Sequence, residues 1–322
     1  MKAIQVREQG GPEVLRLDEF DIPPPGPGQA QVKLASIGVN FRDIYQRSGV
    51  YKMDLPYIPG SEGAGLVTRV GSDVDEVHVG DRIVYSGVLG SYAEYANVLV
   101  RRMINLPDSM DFSLAAAVMG QGMTAHYLAH STYPLKSGDT CLVHAAAGGV
   151  GLLLTQVAKL LGARVIGTVS TQEKARAARS AGCDYVILYT EQDFEAEVRR
   201  FTEGRGVQVV YDSVGKTTFD KSINCLAPRG YMILYGQSSG MVPPIDPQML
   251  NQHGSLFLTR PSGIHYTATR DELVWRARDI FDWVVSGELN VHIDVHLPLH
   301  QAAEAHLRLE ERRNIGKVLL RP

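Results

Sequence analysis

The first 120 residues alternate short apolar stretches with residues that favour turns. The stretches that predict β-strands are 2–6, 14–18, 30–37, 64–70, 82–86 and 92–99. Gly-Gly at 10–11, a proline-rich segment at 22–28 and Gly-Asp at 80–81 separate them. Many short strands at this spacing predict a compact β-barrel or β-sandwich.

From about residue 122 the hydrophobic pattern changes to apolar strands that alternate with helices. The predicted strands are 140–145, 164–169, 185–188, 207–211, 230–235 and 255–259, and the predicted helices are 149–161, 171–181, 191–202 and 217–226. This alternation is typical of βαβ units and a parallel sheet. A further helix is predicted at 270–286, with an apolar stripe that we interpret as core, and 291–322 returns to strand–helix–strand.

Composition narrows the class of protein without naming a chemistry. A length of 322 residues predicts about two domains, and 32 Lys plus Arg against 35 acidic residues give a net charge of −3. This balance argues against nucleic-acid binding driven by bulk charge, and no apolar run is long enough to span a membrane. The three cysteines, Cys141, Cys183 and Cys225, form neither a disulfide framework nor a zinc ribbon. With no signal-peptide-like stretch in the first ten residues, we expect a reducing, cytoplasmic location.

A small-residue turn at 144–151 is the strongest local signal. The apolar strand enters His144-Ala145-Ala146-Ala147-Gly148-Gly149-Val150-Gly151, which opens an apolar helix. Glycines let the backbone approach a pyrophosphate, and the helix N-terminus offers free N–H groups and a partial positive charge. The strand–turn–helix context therefore predicts dinucleotide binding, with a purely structural tight turn as the alternative.

The end of the second strand indicates which dinucleotide is preferred. An NAD site places an acidic residue there, whereas this chain has no acid before Glu173. Ser170 and Lys174 offer a hydrogen bond and a positive charge to a 2′-phosphate. We therefore expect NADPH; the alternative is a solvated basic helix face.

Taken together, the motifs resemble the medium-chain dehydrogenase/reductase superfamily, and within it the zinc-free NADPH:quinone oxidoreductases related to zeta-crystallin, the bacterial ones most of all. The stretches that carry the resemblance cover nearly the whole chain in order: 39–43, 47–51, 59–65, 80–85, 144–151, 211–215, 236–240, 258–262 and 316–317. The resemblance implies an α/β protein with a mainly-β GroES-like catalytic domain, residues 1–121 and 266–322, and a Rossmann domain, residues 122–265. It also implies that the nucleotide lies between the two domains and that the protein is a homodimer paired through the Rossmann sheet edge near 255–259.

Matching positions assign site residues by the same resemblance. The expected catalytic residues are Asn40, Asp43, Tyr45 and Tyr51. The expected cofactor-binding residues are Asn40, Tyr127, Ala147, Gly148, Gly149, Val150, Gly151, Ser170, Thr171, Lys174, Tyr189, Ser213, Tyr235, Gly236, Gln237, Ser238, Thr259, Arg260, Pro261 and Arg312. Zinc-dependent relatives carry Cys and His where this chain has Asn40 and Ser61, so no metal is expected, and Glu62 is interpreted as a buried hydrogen-bonding acid.

Three other arrangements of residues have simpler explanations than a metal site or a hydrolase. His292, Asp294 and His296 would share one face of a strand, as a metal site requires, but the same alternation describes an amphipathic strand with a wet face. His126 and His130 lie one helical turn apart without the glutamate of a zinc protease motif. Ser238 stands between glycines after a Rossmann-type strand, where cofactor contact explains it better than a hydrolase nucleophile.

The expected activity is reduction of a quinone by NADPH without zinc. A quinone needs little acid assistance, so catalysis would rest on proximity and orientation, with a hydrogen bond from Tyr45, Tyr51 or Asn40 to the developing oxyanion. One-electron transfer stays open. The alternatives are reduction of the C=C bond of α,β-unsaturated carbonyls, with Tyr51 as a proton donor, and a non-catalytic NADPH-bound RNA-binding or sensor protein.

Overall fold

The computed structural model describes residues 1–322, with fifteen strands and ten α-helices. The strands are β1 Lys2–Gln5, β2 Arg16–Glu19, β3 Gln29–Gly38, β4 Glu62–Val70, β5 Arg82–Ser86, β6 Tyr95–Leu99, β7 Met103–Asn105, β8 Thr140–Val143, β9 Arg164–Val169, β10 Tyr185–Leu188, β11 Val207–Asp212, β12 Leu226–Leu234, β13 Phe257–Thr259, β14 Ile293–Pro298 and β15 Lys317–Arg321. The helices are α1 Phe41–Arg47, α2 Phe112–Tyr127, α3 Gly149–Leu160, α4 Gln172–Ser180, α5 Phe194–Phe201, α6 Phe219–Asn224, α7 Gln248–Gln252, α8 Gly263–Tyr266, α9 Arg270–Ser286 and α10 Ala302–Glu310.

Internal contacts divide the chain into two compact units. Unit 1 comprises Met1–Gln121, Ala268–Val285 and Val291–Pro322, and unit 2 comprises Gly122–Thr267 and Ser286–Asn290. Every strand predicted from the sequence is present, with ends that differ by a few residues. No helix has the length and hydropathy that crossing a lipid bilayer requires.

Unit 1 is built on a seven-stranded mixed sheet. Its order is β14-β15-β3-β4-β5-β7, and β6 pairs with β3; a separate hairpin joins β1 to β2. Alternating apolar residues point into one core that includes Val32, Ile37, Val67 and Ile83. The C-terminal strand β15 lies antiparallel to β3, with Leu319 opposite Gly38. The end of the chain therefore joins the sheet made by its first third.

Unit 2 is a six-stranded parallel sheet in the order β10-β9-β8-β11-β12-β13. Counted along this unit, the order is 3-2-1-4-5-6, which is that of a dinucleotide-binding doubly wound sheet. The order reverses between β8 and β11, and the carboxyl ends of these two strands flank the crevice where such sheets bind ligands. The predicted Rossmann fold is confirmed.

Candidate functional site

The turn between β8 and α3 leaves an open helix N-terminus. Ala145 has a positive φ of 52°, and its carbonyl accepts the N–H of Gly148 at 2.8 Å. Because Gly148 is the N-cap residue and has no side chain, no side chain caps the first N–H groups of α3. These groups and the helix dipole favour an anion at this position.

Two glycines at this end of the sheet are required by close backbone approach. A Cβ on Gly151 would clash with the carbonyl oxygen of Ala145, and one on Gly236 would lie 2.5 Å from that of Ser213. The first contact packs α3 against the end of β8, and the second packs the turns after β11 and β12 together. Both positions therefore exclude any larger residue without a backbone shift.

Asp212 shapes the turn that follows β11. Its carboxylate accepts the N–H groups of Val214 and Gly215 at 2.7 and 3.0 Å and the hydroxyl of Thr218 at 2.7 Å. The side chain is fully buried, so these donors replace the water it loses. Sequence reasoning missed Asp212; an acid that ends a buried strand three residues before a glycine was the available signal.

His144 lies beneath the turn after β8 as a buried neutral ring. Its Nδ1 is 2.9 Å from the hydroxyl of Thr168, and its Nε2 is 2.9 Å from that of Ser222. Burial lowers the pKa of His144, and the charge of Asp212 opposes that effect. The ring therefore joins β8, β9 and α6 by hydrogen bonds without adding a charge.

The residues after β9 begin helix α4. The hydroxyl of Thr171 accepts the backbone N–H of Lys174 at 3.2 Å, which makes Thr171 the N-cap. The Ser170 carbonyl accepts the hydroxyl of Thr190 at 3.1 Å. Ser170 and Lys174 are both partly exposed, and no carboxylate occupies the position that would bind a ribose 2′-hydroxyl.

The other predicted cofactor residues of unit 2 follow the carboxyl ends of the parallel strands. Each stands at or just after a strand end: Ala147, Tyr189, Ser213, Tyr235, Gly236, Gln237, Ser238, Thr259, Arg260 and Pro261. Arg260 ties two of these ends together, donating to the Leu234 carbonyl at 2.8 Å and to the Gln237 amide oxygen at 3.4 Å. Tyr127 differs, because it ends α2, where its ring stacks on Tyr266 at 4.5 Å.

A buried polar centre lies in unit 1 around Asn40. The Asn40 amide nitrogen donates to Glu62 Oε1 at 3.0 Å, and its oxygen accepts Lys317 Nζ at 2.9 Å. Lys317 also forms an ion pair with Glu62. The second carboxylate oxygen of Glu62 accepts the N–H of Gly120 at 2.7 Å. Glu62 is thus confirmed as a buried hydrogen-bonding acid, and Lys317 is a member of the centre that sequence reasoning missed.

A second chain of hydrogen bonds starts from Asp43. Its Oδ2 accepts the Asn40 N–H at 2.9 Å and the Tyr92 hydroxyl at 3.1 Å. Tyr92 contacts His306 Nε2 at 3.0 Å, and His306 Nδ1 lies 3.3 Å from Arg47 Nη1. Arg47 in turn pairs with Glu310, which is partly exposed. The chain therefore runs from α1 through the core to the end of α10.

Burial shifts the pKa values of Asp43 and His306 in this hydrogen-bond chain. Desolvation raises the pKa of Asp43 to about 6, against stabilising hydrogen bonds from Asn40 and Tyr92. Burial, assisted by the charge of Arg47, lowers the pKa of His306 to about 3. His306 is therefore neutral, with Nδ1 accepting from Arg47 and Nε2 donating to Tyr92.

Three further predicted residues lie in α1, in the loop after it and in the turn after α10. Tyr45 and Tyr51 pack edge to face, with ring centroids 5.2 Å apart, and the carbonyl of Tyr45 accepts the N–H of Tyr51 at 2.9 Å. Tyr45 is buried and Tyr51 is 37% exposed. Arg312 lies in the turn beyond α10, exposed and with a positive φ of 57°.

The histidine patterns of the sequence have structural explanations. Asp294 pairs with Arg308 at 2.6 Å and accepts the N–H of Ile315 at 3.2 Å, so its carboxylate is already engaged. His126 and His130 stack with centroids 4.2 Å apart on one face of a helix. No group of three or more His, Cys, Asp or Glu side chains is close enough to hold a metal ion.

Two family models and several known proteins match this chain. A family model described as "Zinc-binding dehydrogenase" matches residues 149–267, and one described as "Alcohol dehydrogenase GroES-like domain" matches residues 26–108. These matches confirm the predicted pairing of a GroES-like part with a Rossmann part. The quinone oxidoreductase of Pseudomonas aeruginosa is 44% identical and covers 100% of this chain and 99% of its own. A 2-haloacrylate reductase of Burkholderia sp is 41% identical, over 99% and 98%.

Two solved structures match over their full length. The Escherichia coli quinone oxidoreductase complexed with NADPH has a TM-score of 0.98 and 43% identity, covering 100% of both chains. A mycobacterial protein complexed with NADPH also has a TM-score of 0.98, at 48% identity and the same coverage. The chain therefore belongs to the quinone oxidoreductases of the medium-chain dehydrogenase/reductase superfamily.

Proposed function

We propose that this protein reduces quinones with NADPH. The observation that carries the proposal is full-length similarity to quinone oxidoreductases, at 44% identity to the Pseudomonas aeruginosa enzyme, together with a TM-score of 0.98 to an NADPH complex of the Escherichia coli enzyme. NADPH supplies the hydride when bound, and the protein supplies binding, orientation and exclusion of water.

The carboxyl edge of the unit 2 sheet fits the parts of NADPH. Gly148 and Gly149 open a helix N-terminus to the pyrophosphate, and the glycine at 151 keeps that helix close to the strand. Ser170 and Lys174 suit the 2′-phosphate, since a hydroxyl and an ammonium both donate to its oxygens. Tyr189, Ser213 and Arg260, with the other predicted cofactor residues, are proposed to contact the remainder of the nucleotide.

Unit 1 supplies the donors that a quinone needs. Asn40, Tyr45 and Tyr51 are proposed to orient the substrate carbonyl, because negative charge develops on its oxygen as hydride arrives. Asp43 is proposed to act on Asn40 by accepting its backbone N–H. A conjugated ring spreads the developing charge, so orientation contributes more than proton transfer.

We also propose that the reaction needs no zinc. The cation beside Glu62 is the Lys317 ammonium, which donates to both Glu62 and Asn40. A divalent cation at Asn40 would meet this ammonium and would find an amide where a thiolate is needed. The chemistry of the residues present therefore supports a metal-free site.

The activity is tested by following loss of NADPH absorbance with the purified protein. Simple benzoquinones and naphthoquinones should be reduced, with NADPH strongly preferred over NADH and no change on adding a chelator. An enone and 2-chloroacrylate serve as comparison substrates, since the Burkholderia relative is a 2-haloacrylate reductase. Faster turnover of either comparison substrate than of every quinone would overturn the proposal.

The assembly is proposed to be a homodimer paired through β13. This strand is at the edge of the parallel sheet, and its Phe257 is 50% exposed. The Phe257 ring stacks on Tyr231 at 4.5 Å, and Tyr231 packs against Tyr133, which gives the edge an aromatic face. Phe257→Glu should give monomers in light scattering, whereas Tyr185→Glu on the opposite edge strand β10 should not. A monomeric unaltered protein would contradict this assembly.

The domain boundaries remain part of the proposal: residues 1–121 and 266–322 for the GroES-like domain and 122–265 for the Rossmann domain. The division of internal contacts after Gln121 and after Thr267 supports them.

A further inference from the structure

The orientation of the Asn40 side chain is set by two partners of opposite character. Lys317 is only a donor and the Glu62 carboxylate is only an acceptor, so the amide oxygen faces Lys317 and the amide nitrogen faces Glu62. A flipped amide would place oxygen against carboxylate and N–H against ammonium. The pair therefore holds the amide in one orientation, which a single neutral partner would not do.

The fold makes room for this pair at two glycines. A Cβ on Gly38 or on Gly120 would clash with the carboxylate of Glu62. The side chains of Glu62 and Lys317 are 0% and 1% exposed. Burying two charges is expensive, and well-packed apolar residues in such a place are often as stable or more so. The pair is therefore better explained by what it orients than by stability.

The contacts with Lys317 and Glu62 leave one N–H of the Asn40 amide uncommitted. One hydrogen on the amide nitrogen points to Glu62, and Asn40 itself is only partly buried. The Lys317 contact draws electron density to the amide oxygen, which makes the remaining N–H a better donor. This N–H is suited to an oxygen on which negative charge develops.

We propose that Lys317 is a positioning residue for quinone reduction, acting with Glu62 to hold the Asn40 amide so that its free N–H donates to the substrate carbonyl oxygen. This inference rests on the proposed function. In the reaction the quinone accepts a hydride, a pair of electrons, from NADPH; a solvent proton completes the hydroquinone, and NADP⁺ remains. Lys317 neither gives nor takes a proton in this scheme and acts only through Asn40.

The test is a double-mutant cycle of Lys317→Met and Asn40→Ala, with Lys317→Arg as the conservative variant. Each single substitution should lower kcat for a quinone by roughly 10-fold to 100-fold, and Lys317→Met should change KM for NADPH less than about twofold. The double variant should be no slower than Asn40→Ala, because Lys317 acts through that side chain. Lys317→Arg should recover part of the loss. Losses that multiply in the double variant, or an unchanged kcat in Asn40→Ala, would overturn the inference.

If Lys317→Met does not fold, Lys317→Arg takes its place in the cycle, and Asn40→Asp tests the Asn40 amide. An aspartate keeps the acceptor for Lys317 and the N-cap position but has no N–H, so kcat should fall as in Asn40→Ala. Wild-type kcat in this variant would refute the role of Asn40. The unaltered protein is assayed first: no turnover of any quinone contradicts the proposed function itself, whereas quinone turnover that these variants leave unchanged contradicts only the roles given to Lys317 and Asn40.

Discussion

Replacing His306 by glutamine removes one titratable group from the buried hydrogen-bond chain of unit 1 that runs from Asp43 to Glu310. His306 is 0% exposed and joins Tyr92 to Arg47. Glutamine reaches Tyr92 with an amide N–H of similar length but has no protonation equilibrium. At neutral pH we expect a loss of about 1–2 kcal/mol of unfolding free energy, because the Arg47 contact is weakened.

The pH dependence follows from the pKa of His306. The pKa is about 3 in the folded protein against 6.5 for an ordinary histidine. Below this ordinary value the unfolded chain binds a proton that the folded protein does not, so stability falls as pH falls. Each pH unit is worth about 1.4 kcal/mol, and acidification from about pH 6.5 to about pH 5 removes about 2 kcal/mol. The glutamine variant escapes this loss.

The assay is urea unfolding of both proteins at several pH values between about 5 and 7. Asp43 titrates in the same range, but it is present in both proteins, so its effect cancels in the difference. The gap in unfolding free energy between wild type and His306→Gln should shrink by about 2 kcal/mol on acidification. A gap that stays constant across the range would show that the pKa of His306 is not lowered in the folded protein and would refute the reasoning.

Three further predictions concern other groups. The unfolding free energy of Asp43→Asn should rise relative to wild type by up to about 3 kcal/mol between about pH 4 and pH 7. The reason is the raised pKa of Asp43, because ionisation makes the wild type less stable as pH rises through about 6. Urea unfolding measures this difference, and a difference that does not change with pH contradicts the prediction. Lys174→Ala should weaken NADPH binding about tenfold and NADH binding less than twofold, as measured by fluorescence titration. Arg176→Ala, on the same helix, is the control. Equal losses of affinity for both nucleotides in Lys174→Ala would contradict the assignment of Lys174 to the 2′-phosphate. Gly151→Ala should lower the unfolding free energy, measured by thermal unfolding, by about 1–3 kcal/mol because its Cβ meets the Ala145 carbonyl. Gly263→Ala is the control and should lower it less, because its Cβ would lie 3.6 Å from the Tyr127 ring. Equal losses in the two variants would count against the close backbone approach at Gly151.

Much of the fold follows from local pattern. The helix predicted at 270–286 is present as Arg270–Ser286, because its apolar stripe has a clear helical period. Helices α1 and α2 were not predicted. Helix α1 has only seven residues, too few to show a period, and α2 carries a continuously buried run at 115–119 that shows no amphipathic contrast. Strand β12 begins at Leu226, earlier than predicted, since pairing with β11 extends it.

The sequence identified more of the candidate site in unit 2 than in unit 1. The nucleotide-binding residues of unit 2 stand at strand ends, where a parallel sheet places them on one edge by geometry alone. Asp212 was missed there because its role depends on hydrogen bonds to a turn. In unit 1, Asn40 and Asp43 were assigned by resemblance. Lys317 lies in a stretch that carries the resemblance but was given no role, and Tyr92 and His306 carried no local motif that marked them.

The sequence by itself determined the phosphate-binding turn, because strand, glycines and helix are adjacent in the chain and their backbone conformations are local. It also determined the alternation that makes unit 2 a parallel sheet. Only the tertiary structure decided the polar centre of unit 1, where Lys317 meets Glu62 from 255 residues away and Asn40 from 277. The pairing of β15 with β3 brings them together, and burial then fixes the partners of each charge and the protonation of His306. Long-range pairing and desolvation are properties of the packed core, which no short stretch of the chain contains.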